Sequence, residues 1–402
     1  MNNIPNDFPF LRQTVHGKKI AYFDNAATAQ KPHIVLDALS HFYTNNNANV
    51  HRGIYTHAET ATEQFESARN TVAQFIGADP TEIVFTRGTT DSINLVAHAW
   101  AMQHITQSDR IVVTALEHHA NLLPWYYVSE RTGAQLVIIP VEPDGTISPT
   151  KAASYITSNC KLVSFVHTSH VTGAQLPVAQ LVALAHLVGA HVMLDASQSV
   201  AHQTLDVQAL GVDFLAFSAH KMGGPTGIGI LFAATKTHKD IRPHQWGGGM
   251  VDQILPNNSI KVRPMPHCLE AGTPAIAQAV GLAAAIGYIS GLDREKIKRH
   301  QSSLCAHLID ALTTLPRITL IGPQKELKQR GHLVSFWVDG IHAHDVAYYL
   351  DHFAIAVRAG NLCAQPAIEA LGGKPLVRAS FLWYNTHEEI ERLIHSLKEI
   401  AL

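Results

Sequence analysis

Cysteine is scarce in this chain. Four occur in 402 residues, Cys160, Cys268, Cys305 and Cys363, and no two form a CxxC pair. A disulfide scaffold is therefore not what holds the fold, and a chain this long buries a large core without staples. Reduced thiols in a cytoplasmic protein are the expectation. Charge is also sparse, at 15% of residues against about 25% in a typical domain. The 30 basic and 32 acidic side chains nearly cancel, at −2. No global attraction to nucleic acid is built in. Glycine and proline, at 26 and 19, are too few for a disordered chain. No fixed-period repeat appears, which excludes a solenoid. No basic segment followed by an apolar one opens the sequence, so no secretory signal is expected. The one long uncharged stretch lies between Glu270 and Asp293. It carries Pro274, Gln278 and four glycines, with too little Leu, Ile, Val and Phe for a membrane span. A small-residue helix packed in a core or a subunit interface is expected there. Histidine, by contrast, is plentiful at 26. It either gives a surface whose charge changes below neutral pH or reflects composition alone.

Apolar, β-rich runs alternate with helical patterns. The runs are Arg110–Ala115, Gln135–Pro140, Leu162–His167, Val192–Asp195, Phe214–Phe217 and Gly227–Phe232, with an amphipathic stretch at Val178–Val188. Such alternation predicts an α/β domain with a mostly parallel sheet. Polar residues follow the runs: Glu117-His118-His119, His170, Asp195 with Gln198, and Ser218 with His220 and Lys221. Ligands of open α/β sheets bind at the carboxyl ends of strands, so one pocket there is expected. After residue 290 the composition changes. A charged helix starts near Asp293, strand-like runs follow at Leu333–Trp337 and Ile355–Arg358, and a helix at His387–Ile400 closes the chain. The expected division is an arm at 1–20 packing with the small domain, a large domain at 21–290 and a smaller α+β domain at 291–402.

Three features carry chemistry. Thr86-Arg87-Gly88-Thr89-Thr90-Asp91-Ser92 lies between a strand-like Ile83-Val84-Phe85 and a helix. It offers amides and hydroxyls to a phosphate, or simply caps the helix. Asp195 closes an apolar strand and either pairs with a cationic group or caps a turn. Lys221 sits between an apolar strand and the Gly-rich Met222-Gly223-Gly224-Pro225-Thr226-Gly227. A desolvated lysine loses its proton more easily and attacks carbonyls. A phosphate cradle, a strand-end aspartate and such a lysine together suit pyridoxal phosphate. A metal site around His118, His119 and His170 lacks any recognised ligand spacing, so none is expected.

Ordered runs along nearly the whole chain carry a resemblance. They include Tyr22-Phe23-Asp24-Asn25-Ala26-Ala27-Thr28, Asn49-Val50-His51-Arg52-Gly53 and Thr86 through Val96. Glu117 through Asn121, Ser218 through Gly229 and Glu270-Ala271-Gly272-Thr273-Pro274 continue it. Arg358-Ala359-Gly360, Cys363-Ala364-Gln365-Pro366, Arg378-Ala379-Ser380 and Tyr384-Asn385-Thr386 complete it. The sequence resembles the cysteine desulfurases of the SufS/CsdA type, within the class V aminotransferases. The resemblance implies the pyridoxal-phosphate fold type I, with a mostly parallel seven-stranded sheet flanked by helices and a smaller C-terminal domain. It implies that Lys221 holds the cofactor, Asp195 pairs with its ring nitrogen and Gln198 with its phenolic oxygen. His118 would stack on the ring and help proton transfer. Thr89, Thr90, Ser218 and His220 would bind the phosphate, with Thr273 reaching it from the second subunit of a homodimer. Arg378, with Arg358 and His170, would form the substrate side, and Cys363 would be the nucleophile. The implied reaction converts L-cysteine to L-alanine and leaves a persulfide on Cys363. A sulfur acceptor of the SufE/CsdE or SufU type would take it up for iron–sulfur cluster assembly.

The sequence departs from the family in three places. Asn361-Leu362 stands where a histidine commonly precedes the nucleophile. His170 stands where an asparagine is usual, and a larger, protonatable group there is expected to shift pH dependence or substrate preference. Met222-Gly223 replaces a Leu-Tyr pair, which is expected to loosen the wall beside Lys221. A selenocysteine lyase using the same site, another class V lyase, epimerase or transaminase, and a scaffold without catalysis are the alternatives.

Overall fold

A computed structural model of the protein describes residues 4–401. Its centre is a sheet of seven strands: β1 (Ile83–Thr86), β2 (Arg110–Thr114), β3 (Gln135–Ile139), β4 (Cys160–Val166), β5 (His191–Asp195), β6 (Phe214–Ser218) and β7 (Gly229–Ala233). The spatial order is β1-β7-β6-β5-β4-β2-β3. Only β7 runs against its neighbours; β2 to β6 pair in parallel. The expected mostly parallel sheet is present. Its strands read as unbroken apolar runs because both faces are covered, and β6 and β7 are buried along their whole length. The chain leaves β2 toward β3 on one side and returns to β4 on the other. That reversal opens a crevice at the carboxyl ends of β2 and β4.

Helix α1 (Thr89–Val96) follows β1, and α2 (Ile276–Ser290) occupies the uncharged stretch. A Cβ on Gly281 of α2 would meet the Leu39 side chain at 3.1 Å and Pro225 at 3.2 Å. The small residues thus let this helix approach its neighbours closely. Among the described residues, no single helix is long and apolar enough to cross a membrane.

The C-terminal part forms a second, antiparallel sheet. Its strands are β8 (Ile318–Ile321), β9 (Leu333–Val338), β10 (Arg358–Gly360) and β11 (Leu376–Ser380), in the order β8-β9-β11-β10. Helices α3 (Arg294–Thr313) and α4 (His387–Ala401) cover it. Asp293 caps α3 by accepting from the Lys296 amide at 3.0 Å. Thr386 and Glu389 form a reciprocal box at the start of α4: the Glu389 amide donates to Thr386 Oγ1, and the Thr386 amide to Glu389 Oε2. Ile390, Leu393, Ile394, Leu397 and Ala401 then recur at helical spacing and are buried. Each large one contributes about 2 kcal/mol of burial free energy.

The expected single strand Ile355–Arg358 is two segments. Ile355–Ala356 pairs in parallel with Ala21–Tyr22, and β10 begins at Arg358. The amides of Ala21 and Phe23 donate to Ala354 O and Ala356 O, both at 2.8 Å. Phe23 packs edge-on to Phe381, with ring centroids 5.7 Å apart. Residues 21–24 therefore seam the C-terminal sheet to the rest.

Three of the 26 histidines, His167, His170 and His332, are buried, and the half-buried His202 stacks on His332 with ring centroids 3.9 Å apart. Burial holds His167 and His202 down at about 4, and His170 and His332 well below the usual 6.5. Such rings take a proton more readily unfolded than folded. Their contribution to stability is complete above about 6.5 and is lost as pH falls toward about 4. The unfolding free energy is expected to drop by roughly 3 kcal/mol or more between pH 7 and pH 5. Urea midpoints at the two pH values check this, and equal midpoints would contradict it.

Candidate active site

The carboxyl ends of the central strands and the edge of the second sheet enclose a cavity of about 890 Å³. It is lined by Thr89, Thr90, His118, His170, Asp195, Ser218, His220, Lys221, Arg358, Cys363 and Arg378. Residues of β1, β2, β4, β5 and β6, or of the turns just after them, thus meet residues of β10 and β11.

The turn before α1 is held against β6. The Thr89 amide donates to Ser218 Oγ at 2.8 Å, and Thr89 Oγ1 lies 2.8 Å from Ser218 Oγ and 2.9 Å from Ser197 Oγ. A Cβ on Gly229 of β7 would fall 2.4 Å from Gly88 Cα. Glycine at that position is what lets β7 and the turn close on one another. Hydroxyls and amides at a helix start suit an anion. His220 lies beside them, its Nδ1 3.2 Å from Thr28 Oγ1; burial pulls its ring down to about 4.

Lys221 follows β6 in a tight turn. Burial holds its ammonium below the usual lysine range, opposed by the Asp195 charge. Its amine is thus eased toward the neutral form that condenses with an aldehyde. Asp195, at the buried end of β5, accepts from the Ser197 amide through Oδ1 at 2.9 Å. Among the described residues its Oδ2 takes no hydrogen bond, which leaves it free for a protonated ring nitrogen. His118 accepts from the Ala120 amide through Nδ1 at 3.0 Å, which puts its proton on Nε2. Burial, then the Lys221 charge, lowers it to about 4, so the ring is neutral at pH 7. The site therefore fits a phosphorylated aldehyde with a basic ring nitrogen.

On the opposite wall Arg358 and Arg378 stand directly across from one another in β10 and β11. Two like charges in register repel. Asp24 resolves this: Oδ2 lies 2.9 Å from Arg358 Nη2, and Oδ1 3.5 Å from Arg378 Nη2. Arg378 Nη1 also donates to His170 O at 2.9 Å, while its buried Nε has no partner. Burial lowers Arg378 to about 10, so it stays charged at pH 7 with a donor to spare for a carboxylate.

Cys363 lies on a turn after β10 and is the exposed one of the four cysteines. Burial pushes Cys160 up to about 12 and Cys268 to about 11, and raises Cys305 as well. Leu362 and Cys363 both have left-handed backbone, with φ of 52° and 54°. Non-glycine residues there cost about 1 kcal/mol each. The turn is tied down by the His119 amide, which donates to Cys363 O at 2.8 Å, and by His170 Nε2, 2.8 Å from Leu362 O.

Two expected residues fall outside this arrangement. Gln198 is buried behind the wall with Nε2 donating to Ala26 O at 2.9 Å. Its amide is turned to a backbone carbonyl of the wall. Thr273 is exposed on the turn after Gly272, whose amide donates to Gly248 O. Within one chain it does not reach the cavity. The wall beside Lys221 is not loose either: Met222 is fully buried, and a Cβ on Gly224 would lie 2.9 Å from Ala219 Cβ. Burial also takes His170 out of the neutral titration range, contrary to the protonatable group expected there.

Asp24 is the chief residue that sequence reasoning missed. It stood in the ordered run Tyr22 through Thr28, but nothing there assigned its carboxylate a role. Glu117 was likewise seen only as part of a polar cluster. It is buried and accepts from Thr114 Oγ1, Asn121 Nδ2 and the Val166 amide, tying the ends of β2 and β4 together. Burial pushes its carboxyl up to about 8.

Residues 21–393 match the aminotransferase class-V family model. The chain belongs to that family. Relatives similar over nearly the whole chain are named cysteine desulfurases. The chain is 43% identical over 99% of its length to the protein of Mycolicibacterium paratuberculosis named "Probable cysteine desulfurase", and spans 58% of that longer relative. It is 42% identical to the cysteine desulfurase of Salmonella agona, covering 98% of this chain and 96% of that one. Among solved structures, the cysteine desulfurase CsdA of Escherichia coli superposes with a TM-score of 0.91 at 35% identity, over 100% of this chain and 99% of that one.

Proposed function

We infer that this class V protein is a pyridoxal-phosphate-dependent cysteine desulfurase. It converts L-cysteine to L-alanine and leaves the sulfur as a persulfide on Cys363. One observation carries the reading: the exposed Cys363 and the half-buried Lys221 line the same cavity. A lyase or transaminase of this family needs the lysine but has no use for a thiol on the opposite lip.

The residues divide the work. Lys221 would hold the cofactor covalently, Asp195 the proton of its ring nitrogen, and Thr89, Thr90, Ser218 and His220 its phosphate. Bound pyridoxal phosphate supplies a sink for the electron pair left on the substrate Cα. Arg378 grips the substrate carboxylate, with Arg358 and Asp24 balancing charge around it. With the cofactor bound, the Lys221 amine would take the Cα proton, and the neutral His118 beside it would relay protons. The Cys363 thiolate attacks the substrate sulfur. An S–S bond forms as the C–S bond breaks, and the freed carbon takes up a proton to give the alanine methyl.

The same reading gives the protein a partner and an assembly. A sulfur acceptor of the SufE/CsdE or SufU type takes the persulfide from the exposed lip, toward iron–sulfur cluster assembly. A second copy of the chain brings Thr273 to the phosphate. Residues 21–290 form the cofactor-binding domain and 291–402 the domain carrying Cys363; of the arm at 1–20, residues 1–3 lie outside the described residues, and Asp7 and Phe8 meet Tyr288 of the large domain.

Single-turnover trapping tests the reaction. The cofactor-loaded protein meets L-cysteine without reductant, is alkylated and digested, and is mapped by mass spectrometry while alanine is counted. One persulfide on Cys363 per alanine is expected. Alanine without persulfide at Cys363 would overturn the assignment.

A further inference from the structure

We propose that His170 is a positioning residue for the nucleophile: it latches the Cys363 turn to the carboxyl end of the central sheet. The inference rests on the desulfurase reading above and adds a residue to it. His170 lies in the segment after β4, at the reversal of strand order, and is 4% exposed. Its Nε2 lies 2.8 Å from Leu362 O. A carbonyl oxygen only accepts, so the ring proton is on Nε2 and the imidazole donates. The histidine is itself fixed, since Arg378 Nη1 donates to its carbonyl oxygen at 2.9 Å.

The turn needs such a hold. Leu362 and Cys363 are consecutive left-handed residues, φ 52° and 54°, and neither is glycine. Two unfavourable backbone conformations in a row persist only where their surroundings determine them. Here both carbonyls are pinned from the central sheet: Leu362 O by the His170 ring, and Cys363 O by the His119 amide at 2.8 Å. The latch ties the turn to a residue 192 positions away in sequence. It acts on the backbone of the turn rather than on the thiol. Releasing it lets the turn relax and moves the sulfur off the line of attack. The proton steps before sulfur transfer belong to Lys221 and His118, whose ring lies 5.0 Å from that of His170, so releasing the latch should weigh far more on sulfur transfer than on them.

The experiment uses that separation in the cofactor-loaded full chain. Exchange of the L-cysteine Cα proton with deuterated solvent reads the Lys221 step. Persulfide on Cys363 in a single turnover reads the sulfur step. His170→Phe keeps a ring and loses the donor. Persulfide formation is expected to slow roughly 10- to 100-fold, at least about tenfold more than Cα exchange slows. His170→Gln, whose amide reaches as far as Nε2, is expected to regain most of the loss. An unchanged persulfide rate in His170→Phe overturns the proposal. So does an equal loss of exchange and persulfide, which would place His170 at the cofactor or substrate. Failure of His170→Gln to rescue overturns it too. If His170→Phe does not fold, His170→Met provides the donorless comparison with His170→Gln. Absence of Cys363 persulfide in the wild type would instead sink the underlying reading, a separate result.

Discussion

Lys221→Ala is expected to lower L-alanine formation about 10⁴-fold, the upper end of what a positioned proton-transfer group contributes. Cα-proton exchange should vanish with it. Lys221 is the only lysine among the described residues lining the cavity, so no other side-chain amine takes its place. The cofactor should still bind, because Asp195, Thr89, Ser218 and His220 remain, but without a covalent link. Exchange measured by NMR, with mass spectrometry for the lost lysine adduct, checks both parts. Exchange close to wild type would remove Lys221 from the proton step.

Cys363→Ser is expected to separate the two halves of the reaction. Alanine formation should fall by about 10³-fold or more, since a positioned group reaches an effective molarity of about 10⁵ M that free thiol cannot match. Cα-proton exchange should persist near the wild-type rate, because Lys221, Asp195 and Arg378 are untouched. The other three cysteines cannot substitute. All are buried, and burial raises their thiols away from ionisation. The double readout of deuterium uptake and alanine decides the point. Full alanine production in Cys363→Ser would mean that sulfur leaves without this thiol.

The central-sheet wall of the cavity was largely legible in the sequence. Thr89, Asp195, Ser218 and Lys221 each stand at or just beyond the end of an apolar run, so their place followed from the strand pattern. The substrate side was legible only in part. Arg378 and Arg358 were singled out, but their facing register and the need for Asp24 between them were not. Gln198 shows the opposite case: a residue expected at the ring whose amide is turned to the Ala26 carbonyl.

By itself the sequence determined the alternation of strands and helices, the small-residue helix α2, the capped and amphipathic α4, and the lysine, aspartate and cysteine of the site. These features are written in neighbours one to four positions apart, where backbone hydrogen bonding and side-chain periodicity act. The tertiary structure alone decided what lies far apart in the chain. It split the run 355–358 between two pairings, set Asp24 against Arg378 across 354 positions, and brought the His170 ring to Leu362 O. Such contacts depend on how the second sheet packs on the first, and no local pattern encodes that packing.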